Sequence, residues 1–183
     1  MILLTTSRRP TDRIRTFCRD LVNSIPDFVR VNRGKMSQDG ITEKAIEYKA
    51  DRVIVVNRWR EGTLKIKLFK VSSTGLRFVS PLMLISDIRI RREFKEATRR
   101  ARASVITMEP ETSPELGQFA GSLSQYLGLP ILSMDRASTL HHVSMHFLFD
   151  SSRRLQVTFM FLSRMIEIGP RLTVSKLIWE FQS

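Results

Sequence analysis

Apolar residues recur along this chain with two periods, one suited to strands and one to helices. Ile2-Leu3-Leu4-Thr5-Thr6 opens as a nearly unbroken apolar run, the pattern of a buried strand over residues 2–6. Ile14, Phe17, Cys18, Leu21, Val22 and Ile25 then follow at helical spacing, behind Pro10-Thr11-Asp12 and ahead of Pro26. A short strand is predicted at 28–31. A second helix is predicted from Ser37 or Asp39 to about Ala50, burying Ile41, Ala45, Ile46 and Tyr48. Arg52-Val53-Ile54-Val55-Val56 reads as a central strand. Residues 64–71 alternate, which sends Lys65 and Lys67 to one side of a half-exposed strand. Ser73-Thr74-Gly75 turns the chain into strand regions 76–79 and 82–85. Residues 89–102, crowded with cations and poor in apolar content, predict an exposed connecting helix. Beyond it come a strand at 104–108, a helix from Ser113 to Leu127, and strands at 143–149, 154–162, 165–168 and 172–181.

The pattern repeats. A shift of 102 positions carries Leu4, Ile14, Phe17, Leu21 and Ile25 onto Ile106, Leu116, Phe119, Leu123 and Leu127. Each copy ends in a proline-marked turn, Ile25-Pro26 and Leu129-Pro130. The expectation is an α/β fold (α+β with mixed sheets) of two similar halves arising from internal duplication. Residues 1–183 would form one domain, with a basic N-terminal half at 1–88, a basic connecting segment at 89–102 and a near-neutral C-terminal half at 103–183.

Charge separates the copies. Residues 1–102 hold 24 Lys+Arg against 11 Asp+Glu, and residues 103–183 hold 6 against 7, so the whole formal net charge of +12 sits in the first part. Nothing in that part is low-complexity, so the excess belongs to a folded surface, and a surface of this kind calls for a polyanionic partner. Cys18 is the single cysteine, which leaves no intrachain disulfide and fits a reducing, cytoplasmic location. No apolar run approaches the roughly 20 residues that span a bilayer, so no membrane partner is expected.

Candidate chemistry concentrates where the predicted strands end. Ser7-Arg8-Arg9-Pro10 joins strand to helix, with Arg13 and Arg15 in the first helical turns. Amides at a helix N-terminus favour an anion, and arginine offers bidentate contacts to phosphate. Four arginines at that end oppose the helix dipole and require compensation. Arg30, Arg33, Gly34 and Lys35 form a second basic turn. If the first three strands lie side by side, both turns meet at the edge where such sheets bind ligands. Trp59, beside Arg58 and Arg60, is the best candidate for an exposed stacking ring, and a core position for it is an equal alternative. His141, His142 and His146 lack metal-binding spacing. Cys18 falls on the buried helix face. No phosphate-binding Gly-rich loop, nucleophile elbow or carboxylate pair is found, so catalytic residues, metal and cofactors are all expected to be absent.

Thr5-Thr6-Ser7-Arg8-Arg9-Pro10, with Arg13, Arg15, Phe17 and Leu21 behind it, resembles the opening of the Brix domain. The likeness runs on through Pro26, Asn32-Arg33-Gly34-Lys35 and strand 53–56. It returns in Ile166-Glu167-Ile168-Gly169-Pro170-Arg171-Leu172, which is similar to the family's closing motif. The relatives it points to are stand-alone archaeal members related to the eukaryotic small-subunit processome protein of the family. The resemblance implies ribosome biogenesis, with rRNA or pre-rRNA and other assembly proteins as partners. It also implies a two-half fold resembling the anticodon-binding domain of class II aminoacyl-tRNA synthetases. By position, its basic opening falls on Arg8, Arg9, Arg13 and Arg15 and its Arg-Gly turn on Arg33-Gly34. The closing motif places Gly169-Pro170-Arg171 in a turn between strands, chiefly architectural, with Arg171 a further RNA contact. Ser80-Pro81 stands where the family often has Gly-Pro. The function expected is a non-catalytic RNA-binding assembly factor. The alternatives are a protein-interaction scaffold of a pre-ribosomal particle, a tRNA-binding module and an RNA-processing enzyme. Neither the oligomeric state nor the rRNA segment is legible.

Overall fold

The computed structural model describes residues 1–96, 101–109 and 113–179. Strand β1 (Ile2–Thr6) is buried throughout and leads to helix α1 (Asp12–Ser24), whose N-cap Thr11 accepts a hydrogen bond from the Ile14 amide at 3.3 Å. Strand β2 (Phe28–Arg30), helix α2 (Gln38–Glu47) and strand β3 (Arg52–Arg58) follow. Strands β4 (Leu64–Ser72) and β5 (Gly75–Arg89) complete the first half. The second half comprises β6 (Val105–Met108), α3 (Pro114–Leu127), α4 (Met134–Leu140), β7 (Val143–Phe149), β8 (Leu155–Phe161), β9 (Ile166–Glu167) and β10 (Arg171–Ile178).

All ten strands join one mixed sheet in the order β2-β1-β3-β4-β5-β10-β8-β7-β6, with β9 on β8. In the first half β1 lies parallel between β2 and β3, and β3, β4 and β5 pair antiparallel in turn. In the second half β6 lies parallel between β7 and a bridge at Ile131, and β7, β8 and β10 pair antiparallel in turn. The halves meet where β5 and β10 run antiparallel, and Leu64, Ile85, Val174 and Leu155 line up across four strands.

Alternation along β1 divides the core. Ile2 and Leu4 pack with Ile14, Phe17 and Leu21 of α1, in a cluster that continues beneath Leu116, Phe119 and Leu123 of α3. Leu3 faces the other way, onto Ile41 and Ala45 of α2, and Val105 packs likewise with Ala137 of α4. Phe17 and Phe119 are both fully buried, each such ring being worth about 1.5–3 kcal/mol against exposure. Helix α3 also ties the halves together. Its Tyr126 hydroxyl lies 2.9 Å from the Val53 carbonyl and 3.0 Å from that of Phe69, and Arg52 bonds the Tyr126 carbonyl.

Two expectations are corrected. The described part of 89–102 is not an exposed helix: β5 runs to Arg89, a short 3-10 turn spans Arg91–Glu93, and residues 97–100 lie outside the described residues. Arg91 is only 5% exposed, because acceptors from both halves converge on it. Regions 76–79 and 82–85 are one strand, and Pro81 is accommodated near a register shift between Ile66 and Leu68 on the neighbouring strand. Helix α2 stops at Glu47 and buries only Ile41 and Ala45, while Ile46 within it and Tyr48 just past it are exposed. The sequence reading also passed over α4, whose seven residues bury only Ala137.

Candidate nucleic-acid interface

Three loops gather at the C-terminal ends of β1, β2 and β3. Because β1 is parallel to both neighbours, the Ser7–Pro10 loop stands beside the Asn32–Lys35 turn, and the Ser7 amide donates to the Val56 carbonyl at 2.9 Å. Between them lies a cavity of about 320 Å³ lined by Thr6, Ser7, Arg8, Pro10, Arg15, Arg30, Asn32, Arg33 and Gly34. Four arginines and no carboxylate line it.

The formal charge around the cavity is all of one sign, positive. Burial and the facing charge of Arg8 hold the Arg33 guanidinium below its ordinary pKa. Arg33 Nε donates to the Met36 carbonyl at 3.2 Å, and Arg30 bonds the Asn32 side-chain oxygen at 2.8 Å, so both guanidinia are oriented by neutral acceptors. Arg15 pairs with Asp12 at 3.1 Å on the exposed side of α1. Gly34 holds φ +53°, the left-handed conformation that this tight turn requires. Among the described residues, the Ser7 hydroxyl is one of two buried side-chain polar atoms without a hydrogen-bond partner, and Ser7 is one of the residues that line the cavity. A buried hydroxyl left unpaired is costly.

The other arginines and lysines singled out in the sequence stand elsewhere. Arg9 and Lys35 are exposed beside the cavity without lining it. Arg13 turns away, donating to Glu93 at 2.6 and 3.1 Å and to the Ile88 carbonyl at 2.8 Å. Arg171 lies in the second half, clasped by both oxygens of Glu167 and 5.7 Å from the Phe94 ring. Thr6 and Asn32, which belong to the two motifs but were not among the candidate contact residues, also line the site. Cys18 is buried, its thiol pushed up to about 12 by desolvation. His146 is buried against the Thr107 hydroxyl, 2.9 Å from its Nδ1, and desolvation lowers its pKa. Among the described residues no three His, Cys, Asp or Glu cluster, and no helix is long and apolar enough to cross a membrane.

Arg33 also borders a second hollow of about 200 Å³ on the α2 side of the sheet, shared with Gln38, Asn57 and Lys67. Just past the end of β3, Trp59 is 42% exposed, and the Lys65 ammonium sits 3.5 Å from the centre of its indole. The ring is therefore at the surface and not in the core.

The mixed sheet with these paired halves is a known architecture. It superposes with a TM-score of 0.75 on the crystal structure of a probable ribosomal biogenesis protein from Aeropyrum pernix, at 25% identity over 97% of this chain and 98% of that one. It also superposes with a TM-score of 0.68 on Mil, an archaeal Imp4-like protein, at 20% identity, a likeness of fold. No family model matches the chain. Its sequence relatives, however, carry the family name to which the end motifs pointed. The protein is a homologue of archaeal proteins named as probable Brix domain-containing ribosomal biogenesis proteins. That of Pyrobaculum aerophilum is 27% identical across 93% of this chain and 89% of its own length. That of Thermococcus kodakarensis is 32% identical over 93 residues, 51% of this chain and 44% of the relative, so the chain spans less than half of that protein's length.

Proposed function

We propose that this protein is a non-catalytic ribosome biogenesis factor that binds rRNA or pre-rRNA through its N-terminal half and assists processing, folding or assembly. One observation carries the reading: Arg8, Arg15, Arg30 and Arg33 surround a single cavity with no carboxylate in its lining. The names of its archaeal relatives support the process. Contacts would be mainly to phosphates, with the Arg8, Arg30 and Arg33 guanidinia as donors. Arg9 and Lys35 would extend the basic rim, and Arg13 and Arg171 would act chiefly as architectural cations. Other assembly proteins are the expected protein partners, in the cytoplasm.

We also read the chain as one Brix domain of two halves, 1–88 and 103–183, joined by 89–102 and derived by duplication. The matching order of strand pairings supports this, as do the N-caps Thr11 and Ser113, which stand at the same 102-residue offset. The likeness to the anticodon-binding domain of class II aminoacyl-tRNA synthetases comes from the family resemblance.

The test is a binding measurement on rRNA fragments with tRNA as competitor. Replacing Arg8, Arg30 and Arg33 with alanine should weaken rRNA binding by roughly two orders of magnitude or more, since charge-assisted hydrogen bonds contribute about 1.5–3 kcal/mol each. The same change at Arg136, on α4 of the other half, should leave it unaltered. Equal binding by the triple variant would remove the reading, and preference for tRNA would replace it with the tRNA-binding one.

A further inference from the structure

Resting on the RNA reading, we infer that the open end of the β3–β4 sheet face seats an unpaired nucleotide, its base stacked on Trp59 and its phosphate held at Arg33. Asn57 of β3 stands on the face covered by α2, as Val55 does, and β4 sets Lys65 and Lys67 opposite Asn57 and Val55; Trp59, in the turn just past β3, reaches the same face through the contact of its indole with Lys65. Helix α2 covers the apolar end of that face, where Ile41 and Ala45 meet Val53 and Val55, and leaves its polar end open. The surface there is an exposed indole with the Lys65 ammonium over one face, which leaves the other face for a base, and with half-exposed Lys67 and Asn57 nearby.

Arg33 connects this surface to the arginine cavity, since it lines the hollows on both sides. A strand of RNA could pass from one to the other without leaving positive charge. The Lys65 ammonium, 3.5 Å from the indole centre, is partly desolvated, and burial and then Lys67 lower its pKa. A phosphate beside it would relieve both effects. Duplex RNA keeps its bases stacked internally and offers none to an aromatic ring, whereas unpaired nucleotides stack on such rings regardless of sequence. The face therefore fits single-stranded or looped RNA.

The chain has two tryptophans, and Trp179 packs against the core, so a Trp179→Phe variant leaves Trp59 as the only indole emitter. In that background, titration with a single-stranded oligoribonucleotide should quench the fluorescence, and a duplex of equal length should not. Trp59→Ala should weaken single-strand binding about tenfold or more, Trp59→Phe should restore most of it, and duplex affinity should not change. RNA binding that depends on Arg8 and Arg33 but is indifferent to Trp59, with no quench, overturns this inference and leaves the RNA reading standing. Loss of all RNA binding by the parent protein sinks both.

Discussion

The Phe94 ring abuts Gly169, so close that a Cβ built on the glycine would fall 2.3 Å from the ring edge. Gly169 also holds φ +62°, where any other residue is strained. Gly169→Ala should therefore destabilise by about 2 kcal/mol or more, from overpacking and backbone strain together. Urea denaturation followed by circular dichroism measures this. Adding Phe94→Ala should recover part of the loss if the clash is its cause.

Arg91 is the buried cation that closes the first half onto the second. Its amide donates to Asp20 at 2.8 Å, and its guanidinium reaches the Ser24 hydroxyl at 2.9 Å, the Ala101 carbonyl at 2.8 Å and the Gly169 carbonyl at 3.3 Å. Arg91→Met should cost about 3–5 kcal/mol by stripping buried acceptors of their donor. The measurement is the urea midpoint. An unchanged midpoint would mean that the convergence is incidental.

Acid should loosen the contact between Arg13 and Glu93. Hydrogen bonding to Arg13 holds the Glu93 carboxyl below its ordinary pKa. Its stabilising contribution is thus complete above the unfolded carboxyl value of about 4.3 and is lost as pH falls through the lower folded value. With both side chains partly solvated, the effect should be no more than about 1 kcal/mol. Melting temperatures between about pH 3 and 6 should fall less steeply towards acid in Glu93→Gln than in the parent protein.

Thr11 and Ser113 perform the same task in the two halves, accepting from the Ile14 and Leu116 amides at 3.3 and 3.2 Å. Alanine at either should cost about 1 kcal/mol, and the two losses should add because they share no partner. Chemical denaturation of the single and double variants settles the point.

Salt should report on the arginine cavity. The logarithm of RNA affinity should fall linearly with the logarithm of salt concentration, and Arg8→Ala or Arg33→Ala should each lower the slope by about 1. Arg171→Ala, which breaks an ion pair with Glu167 instead, should leave the slope where it was.

What could be read from the sequence was whatever rests on near neighbours. The α1 and α3 periods and the β-branched run of β3 are local patterns, and all stand as expected. The meeting of the two basic turns needed only the side-by-side order of β2, β1 and β3. Misreadings came where distant partners decide. The segment after Arg89 looked like a solvated helix because nothing nearby shows that Ser24 and Gly169 lie 67 and 78 positions away from Arg91. In the same way Arg13 and Arg171 could not be told from Arg8 and Arg33 until Glu93 and Glu167 were seen to hold them. Trp59 was undecided because a β3–β4 turn residue can fold over either sheet face.

The antiparallel join of β5 and β10 has a consequence for what can be bound at once. Strands β1, β2 and β3 point the way β5 does, whereas β6 and β7 point the way β10 does. The loop-bearing ends of the two halves therefore look out from opposite rims. At about 3.3 Å per residue, the 15 residues of β5 span roughly 50 Å. The molecule thus turns its two sets of loops outwards in opposite directions, so that a polyanion bound at the arginine cavity would leave the loops of the second half unobstructed.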